Sequence, residues 1–200
     1  MKDGHGRSRL GLLEWGVAIV SSLLSHRFAV FQLSKENVMP LVMRKFSAAD
    51  FADYFRLVGN AQVMAMITER ALPEDEARAE YAKLLENNGW HPAFGHFKLF
   101  DENGAFLGLG KLALERPDGR AAELGYMLLP EYWGQGIGNR VAAQLLAVAN
   151  AQAPRLERLF AIIDPANIAS RKILLRHGFV HQAFQDFDGL PGEVLQRTLG

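Results

Sequence analysis

AELGYMLLPEYWGQGIGNRVAAQLL, Ala122 to Leu146, holds a strand, a stop and a helix start in one stretch. Apolar residues run to Leu129 and Pro130 ends the strand. Gly134, Gly136 and Gly138 then alternate with Gln135 and Ile137 before a helix whose buried stripe is Val141, Leu145 and Val148. Three glycines at a strand-to-helix junction make a cup of free backbone N–H groups at the positive end of the helix dipole. A pyrophosphate fits such a cup. Two nucleotide-derived ligands could use it, a dinucleotide or coenzyme A. The dinucleotide has Asp164 in its favour, at the end of the next strand where a ribose-binding acid would sit. Against it, the spacing is G-x-G-x-G, with Asn139 where the third glycine of G-x-G-x-x-G would stand.

The surrounding pattern weighs further against the dinucleotide. Upstream, Ala93–Phe100 and Ala105–Leu114 read as strands joined by Asp101, Glu102, Asn103 and Gly104, with Asn-Gly as the hairpin signal. A turn at Pro117, Asp118 and Gly119 leads to a third strand, Ala121–Leu129, which completes an antiparallel meander. Before it lie a strand at Leu41–Phe46, a helix capped by Ser47 or Asp50 and carrying Phe51, Phe55 and Val58, and a helix opening at Pro73. Glu74, Asp75 and Glu76 suit the start of that last helix, which is expected to run to about Glu86 and stop at Asn87, Asn88 and Gly89. Downstream come a strand at Leu156–Ile163, a turn at Asp164–Ala166 and a helix over Asn167–His177 closed by Gly178. Two final strands, Phe179–Phe187 and Glu193–Leu199, flank a turn of Gly189, Pro191 and Gly192. Too little chain follows the cup to finish a doubly wound sheet. The expected class is α/β with segregated elements, one domain over residues 40–200.

Composition narrows the chemistry. Lys plus Arg and Asp plus Glu number 22 each, so no global field is expected to hold nucleic acid or an anionic membrane, and phosphate recognition must be local. The absence of cysteine excludes disulfides, thiolate metal sites and a cysteinyl acyl-enzyme. The nearest histidines, His177 and His181, straddle Gly178, and no metal site is expected.

Ala122–Leu146, followed after one strand by DPANIASRKILLRHGF (Asp164–Phe179), resembles the acetyl-CoA-binding core of the GNAT acyltransferase family. It is most similar to the branch that contains the ribosomal-protein alanine N-acetyltransferases, and weaker similarity reaches back through Val63–Ile67 to Leu41. The resemblance implies a mixed, mostly antiparallel sheet flanked by helices, with two splayed central strands, Ala121–Leu129 and Leu156–Ile163. Acetyl-CoA, as co-substrate, would lay its pantetheine arm along Met127, Leu128 and Leu129. Its pyrophosphate would lie on Gln135, Gly136, Ile137, Gly138 and Asn139. Asn167 would bond the coenzyme from the opposite side, and Arg171, with Lys172, would neutralise phosphate. Leu128 or Leu129 would donate an N–H to the thioester carbonyl.

Glu123, on the strand leading to the cofactor, is the candidate general base. Many members of the family place an acidic tyrosine seven residues after the helix-opening asparagine. Here that position is Leu174, and Ser170 becomes the hydroxyl nearest the sulfur. Arg140 and Val141 stand where the branch has glutamate and alanine. The expected activity is acetyl transfer to a primary amine, with a peptide N-terminal α-amine favoured. The alternatives are a polyamine or other small-molecule acceptor, an acetyl-CoA sensor without turnover, and a dinucleotide-dependent oxidoreductase. A cytoplasmic monomer or homodimer is expected.

Residues 1–39 read as an N-terminal extension or an early-assigned start. Lys2, Arg7 and Arg9 precede an apolar run, Leu10–Leu24, that imitates a secretory signal, but Glu14 interrupts the run and small residues before a cleavage site are missing. Removing Met1–Val38 is expected to leave a folded protein whose acetyl-CoA affinity, by thermal-shift titration, stays within about twofold of the full chain's. An insoluble product would show that Leu10–Leu24 packs on the domain.

Overall fold

The computed structural model describes residues 41–152 and 156–199. The extension expected over residues 1–39 lies outside the described residues.

A seven-stranded sheet is assembled in the order β1-β2-β3-β4-β5-β7-β6. β1 (Val42–Lys45), β2 (Gly95–Phe100), β3 (Phe106–Leu114) and β4 (Ala121–Leu128) pair antiparallel in turn, which is the expected meander with one strand before it. β5 (Arg158–Ile163) joins β4 in parallel, β7 (Leu190–Thr198) runs antiparallel beside β5, and β6 (Val180–Phe187) forms the outer edge. The sheet is therefore mixed and mostly antiparallel.

Helices cover both faces. Ser47 N and Oγ both donate to Asp50 Oδ2, the Asp50 amide donates back to the Ser47 carbonyl, and the three bonds launch a short helical turn that continues into α1 (Phe51–Val58). The buried residues of α1 are Tyr54, Leu57 and Val58, while the expected Phe51 and Phe55 pack only partly against the core. Asn60 caps α2 (Ala61–Met64), its Oδ1 accepting from the Gln62 and Val63 amides. α3 (Glu74–Trp90) closes this layer. Tyr54, Leu57, Val63 and Tyr81 pack with Phe106, Leu109 and Leu129 on one face of the sheet. On the other face, Val141, Leu145 and Ala149 of α4 (Ile137–Ala151) pack with Leu112, Leu124 and Leu128, and Leu174 of α5 (Ile168–Arg176) joins the same core.

Two expected boundaries shift, each for a tertiary reason. α3 does not stop at Asn87–Gly89 but continues to Trp90. Asn88 donates to the Phe46 and His96 carbonyls and accepts from the His96 amide at 2.6 Å, so its side chain serves the sheet and does not compete with its own helix. Lys45 Nζ takes the Asn88 and His91 carbonyls at 2.7 and 2.6 Å, which satisfies the helix end. The last hairpin turns on Asp188 and Gly189 alone, with φ of 55° and 89°, so Pro191 and Gly192 belong to β7. Positive φ at both central residues gives the turn a twist that matches the strands. β5 pairs with β7 only up to Glu193, so the missing N–H of Pro191 costs no bond on that side.

Asn88→Ala removes three hydrogen bonds and leaves the Phe46–His96 backbone without its partner. It is expected to destabilise the domain by about 2–3 kcal/mol in urea titration, with the denaturant dependence unchanged.

Candidate active site

The site begins where the pairing of two parallel strands ends. β4 and β5 are in register at Ala121/Arg158, Ala122/Leu159 and Glu123/Phe160, and not beyond. From there β5 pairs only with β7, through Ala161/Leu195, Ile162/Val194 and Ile163/Glu193. The central strands therefore splay, as expected, and a cavity of about 600 Å3 lies in the opening.

The phase of the β3–β4 ladder decides which groups face that opening. Leu129 N–H donates to the Leu107 carbonyl and Glu115 N–H to the Ala121 carbonyl. Alternate residues of an antiparallel strand bond to a given neighbour. Glu123, Gly125 and Met127 therefore spend their backbone groups on β3, and Leu124, Tyr126 and Leu128 turn theirs toward β5. The Leu128 carbonyl accepts from Trp133 Nε1 at 2.8 Å, which leaves the Leu128 N–H and both Tyr126 backbone groups directed at the gap. This corrects two expectations. Leu129 has no amide left to donate, and Met127 is bonded to the wrong neighbour; Tyr126 takes their place beside Leu128.

Side chains divide by the same alternation. Glu123, Gly125 and Met127 lie opposite Ala113, Lys111 and Leu109 on the face covered by α1–α3. Leu124, Tyr126 and Leu128 lie on the face covered by α4 and α5. Glu123 lines the cavity, and Lys111 Nζ donates to its Oε2 at 2.5 Å, with both side chains partly exposed. The candidate base is therefore one half of an ion pair.

The glycine cup is built as read. Gly134 and Gly136 have φ of 72° and 74°, conformations that L side chains rarely adopt, and open space lies where their Cβ atoms would be. Gly138 is required for a different reason. A Cβ there would come within 3.1 Å of the Tyr126 ring and 3.3 Å of Ile173. The amides of Ile137, Gly138 and Asn139, in the first turn of α4, have no partner within the helix. The side chains of Gln135 and Asn139 are engaged elsewhere: Gln135 Nε2 donates to the Glu131 carbonyl at 2.7 Å, and Asn139 Oδ1 meets His177 Nε2 at 3.1 Å. What the cup presents is backbone.

α5 supplies the opposite wall. Asn167 caps it by accepting from the Ser170 amide at 3.0 Å, and both residues line the cavity. Tyr126 Oη and Ser170 Oγ are hydrogen-bonded over 3.4 Å, a long contact between two hydroxyls, each able to donate or accept. Burial raises the Tyr126 phenol above its ordinary value against the opposing effect of this bond. Arg171, expected to neutralise phosphate, has one nitrogen engaged within the protein. Its Nε reaches both oxygens of Glu193, at 3.1 and 2.9 Å, and His181 Nδ1 lies 3.0 Å from Glu193 Oε1. Glu193 is 1% exposed. Its burial raises the carboxyl, and the bonds and charges of Arg171 and His181 more than reverse this, so it lies below its ordinary value. Arg171 is thus tied to a buried carboxylate through Nε, with its side chain 38% exposed. Leu174, at the position of the absent tyrosine, is buried.

Tyr126 and Lys111 were missed in the sequence, although both left a signal. Lys111 is the one charge in FLGLGKLAL, and a charge in an apolar strand needs a partner. Tyr126 puts a hydroxyl on the apolar stripe of Leu124 and Leu128.

The acetyltransferase (GNAT) domain family matches residues 40–180. The uncharacterized N-acetyltransferase YoaA of Bacillus subtilis (strain 168) is 35% identical over 60 residues, which are 30% of this chain and 33% of that protein, so the match spans about a third of the relative's length. Among solved structures, a GNAT superfamily phosphinothricin acetyltransferase of Sinorhizobium meliloti in complex with AcCoA has a TM-score of 0.62 at 22% identity, covering 81% of this chain and 90% of that one. Spermidine N-acetyltransferase of Vibrio cholerae, in complex with CoA and spermine, gives 0.65 at 20% identity over 79% and 95% of the two chains. The RimL ribosomal L7/L12 alpha-N-protein acetyltransferase in complex with CoA gives 0.62 at 18% identity over 80% and 94%. These structures share the fold.

Gly136→Asp puts a side chain on a left-handed backbone and a carboxylate into the amide cup. Acetyl-CoA is expected to raise the melting temperature of the wild type and to leave that of this variant unchanged, while NAD shifts neither. Stabilisation by NAD and not by acetyl-CoA would overturn the reading of the cup.

Proposed function

This chain belongs to the acetyltransferase (GNAT) family, and we propose that it moves an acetyl group from acetyl-CoA to a weakly basic primary amine, the α-amine of a peptide N-terminus or a similar group. The observation that carries the reading is the break in β4–β5 pairing after Glu123, which opens directly onto the amide cup. The residues fit the coenzyme. Unpaired backbone at Tyr126 and Leu128 suits an amide-bearing arm, and the first-turn amides of α4, reached past Gly134 and Gly136, suit a pyrophosphate.

Acetyl-CoA supplies the acetyl group as a thioester, whose C–S bond breaks as the C–N bond to the amine forms, the thiolate leaving with the electron pair. Glu123 takes the proton that the amine sheds. The Leu128 N–H is aimed into the gap, where it hydrogen-bonds the carbonyl oxygen as negative charge develops. Ser170, hydrogen-bonded to Tyr126 and lining the cavity, offers its hydroxyl to the sulfur. Neither hydroxyl is an acid that protonates a thiolate completely. A thiol titrates near ~8.5 and an ordinary phenol near ~10, so transfer from the phenol is uphill by about 2 kcal/mol before burial is counted. The pair stabilises the leaving sulfur by hydrogen bonding, and solvent supplies the proton. Leu174 therefore removes less than it would from an acceptor that needed strong acid assistance.

Acceptor basicity decides the substrate class. An α-amine near ~8 is about one-tenth neutral at pH 7, whereas an alkyl amine near ~10.4 is neutral in about one part in 2,500, a difference of about 3 kcal/mol in the concentration of nucleophile. Glu123 and Lys111 are the charged residues that line the cavity among those described, and they cancel. A polyamine would find no surplus carboxylate there. One observation favours the second reading, a sensor without turnover: the carboxylate of Glu123 is already paired.

The pH dependence separates the two. Glu123→Gln is expected to lower turnover with an α-amine acceptor about tenfold at pH 7 and to approach the wild-type rate above about pH 9, as the acceptor deprotonates by itself. An unchanged profile would remove Glu123 from the mechanism. Stabilisation by acetyl-CoA without thiol release across a broad amine panel would favour the sensor.

A further inference from the structure

We propose that Lys111 recognises a carboxylate carried next to the acceptor's amine, so that the acceptor is a free α-amino acid with an apolar side chain. This rests on the transferase reading and replaces the peptide N-terminus as its acceptor with an α-amine that stands beside a free carboxylate. Lys111 and Glu123 form one ion pair inside a cavity whose other described lining residues are uncharged. His96, opposite Lys111 in the β2–β3 register, adds no second cation beside it, since burial, with the charges of Lys111 and Lys45, pushes its imidazole down to about 3 and leaves it neutral.

An ammonium that approaches Glu123 displaces Lys111. With a simple amine, the lysine is left without its anion in a place that is only partly solvated, next to a second cation. A zwitterion avoids this, because its ammonium takes Glu123 and its carboxylate takes Lys111, so every charge keeps a partner. The exchange also prepares the nucleophile. A carboxylate beside an amine stabilises the ammonium form, and pairing that carboxylate with Lys111 weakens the effect, which releases the nitrogen lone pair when Glu123 accepts the proton.

The rest of this side of the cavity is mostly apolar. Val63, Leu109 and Met127 line it together with Gln62, and Met66 and Ile67, each 43% exposed, extend it outward from the end of α2. Two exposed large apolar residues in a cavity with one charge pair among its described lining suit a hydrophobic side chain on the same small molecule.

The test compares acceptors that differ only in the carboxylate, using the full chain, acetyl-CoA and thiol release: L-leucine, L-leucinamide, the peptide Leu-Gly-Gly and spermidine. L-leucine is expected to exceed L-leucinamide in kcat/KM by about tenfold or more, mostly through KM. Lys111→Met should bring this ratio to within about threefold of one, and Lys111→Arg, which keeps a carboxylate fork, should restore most of it. Stabilisation by acetyl-CoA confirms that each variant is folded. Leucinamide or the peptide matching leucine in the wild type, or an unchanged ratio in Lys111→Met, overturns the inference and leaves the transferase reading standing. No thiol release with any acceptor, in protein that acetyl-CoA stabilises, overturns the transferase reading as well.

Discussion

Two parallel strands that stop pairing after three residues govern the rest of this structure. Past Glu123 and Phe160, β5 keeps only its β7 neighbour, and β4 keeps only β3. Backbone groups in a sheet interior are rarely left without partners, so a strand edge opened inside a domain is either covered or used. Here the indole of Trp133 covers one carbonyl, that of Leu128, and helices α4 and α5 wall the opening without closing it. The strand that loses its neighbour is also the strand that ends at the glycine cup. Backbone amides for an extended, amide-rich arm and backbone amides for its phosphates thus follow one another along a single stretch of chain.

That continuity is why the sequence was informative here. Strand, proline, alternating glycines and helix are local signals, and the chain obeys them: β4, α4 and the N-cap of α5 at Asn167 lie where composition and spacing put them. What the sequence hid depends on partners far along the chain. Arg171 reads as a free cation, and its bond to Glu193, on a strand more than twenty residues further on, is invisible in its own segment. Asn87, Asn88 and Gly89 read as a helix stop until Asn88 is seen bonding Phe46 and His96. The choice between Leu129 and Tyr126 as a partner for the gap turns on the phase of a ladder, and a shift of one residue reverses it. Lys111 belongs to a third group. Its signal was present, a lone charge in an apolar strand, and only its partner was unknown.

The alternation of β4 does more than choose backbone groups. It sorts the side chains of the opening into two compartments. Tyr126 and its neighbour Ser170 stand with α4 and α5 on the side of the cup, and Glu123 and Lys111 stand with α1–α3. Hydroxyls and amides thus stand on one side of the gap and a carboxylate with its lysine on the other. Period-two geometry imposes this division on any residues placed in register.

The wall of the gap that α5 supplies is tied to the sheet by charge as well as by packing. Arg171 and His181 converge on Glu193, whose carboxylate is almost wholly withdrawn from water and sits where β7 meets the end of β5. A buried carboxylate with two donors is costly to separate from either, which makes the contact directional in a way that apolar packing is not. Leu174, beneath the same helix, packs without fixing a rotation. The same helix carries Asn167 and Ser170 into the cavity wall, so Arg171 joins the wall of the opening to β7 through a bond that its own segment of sequence does not announce.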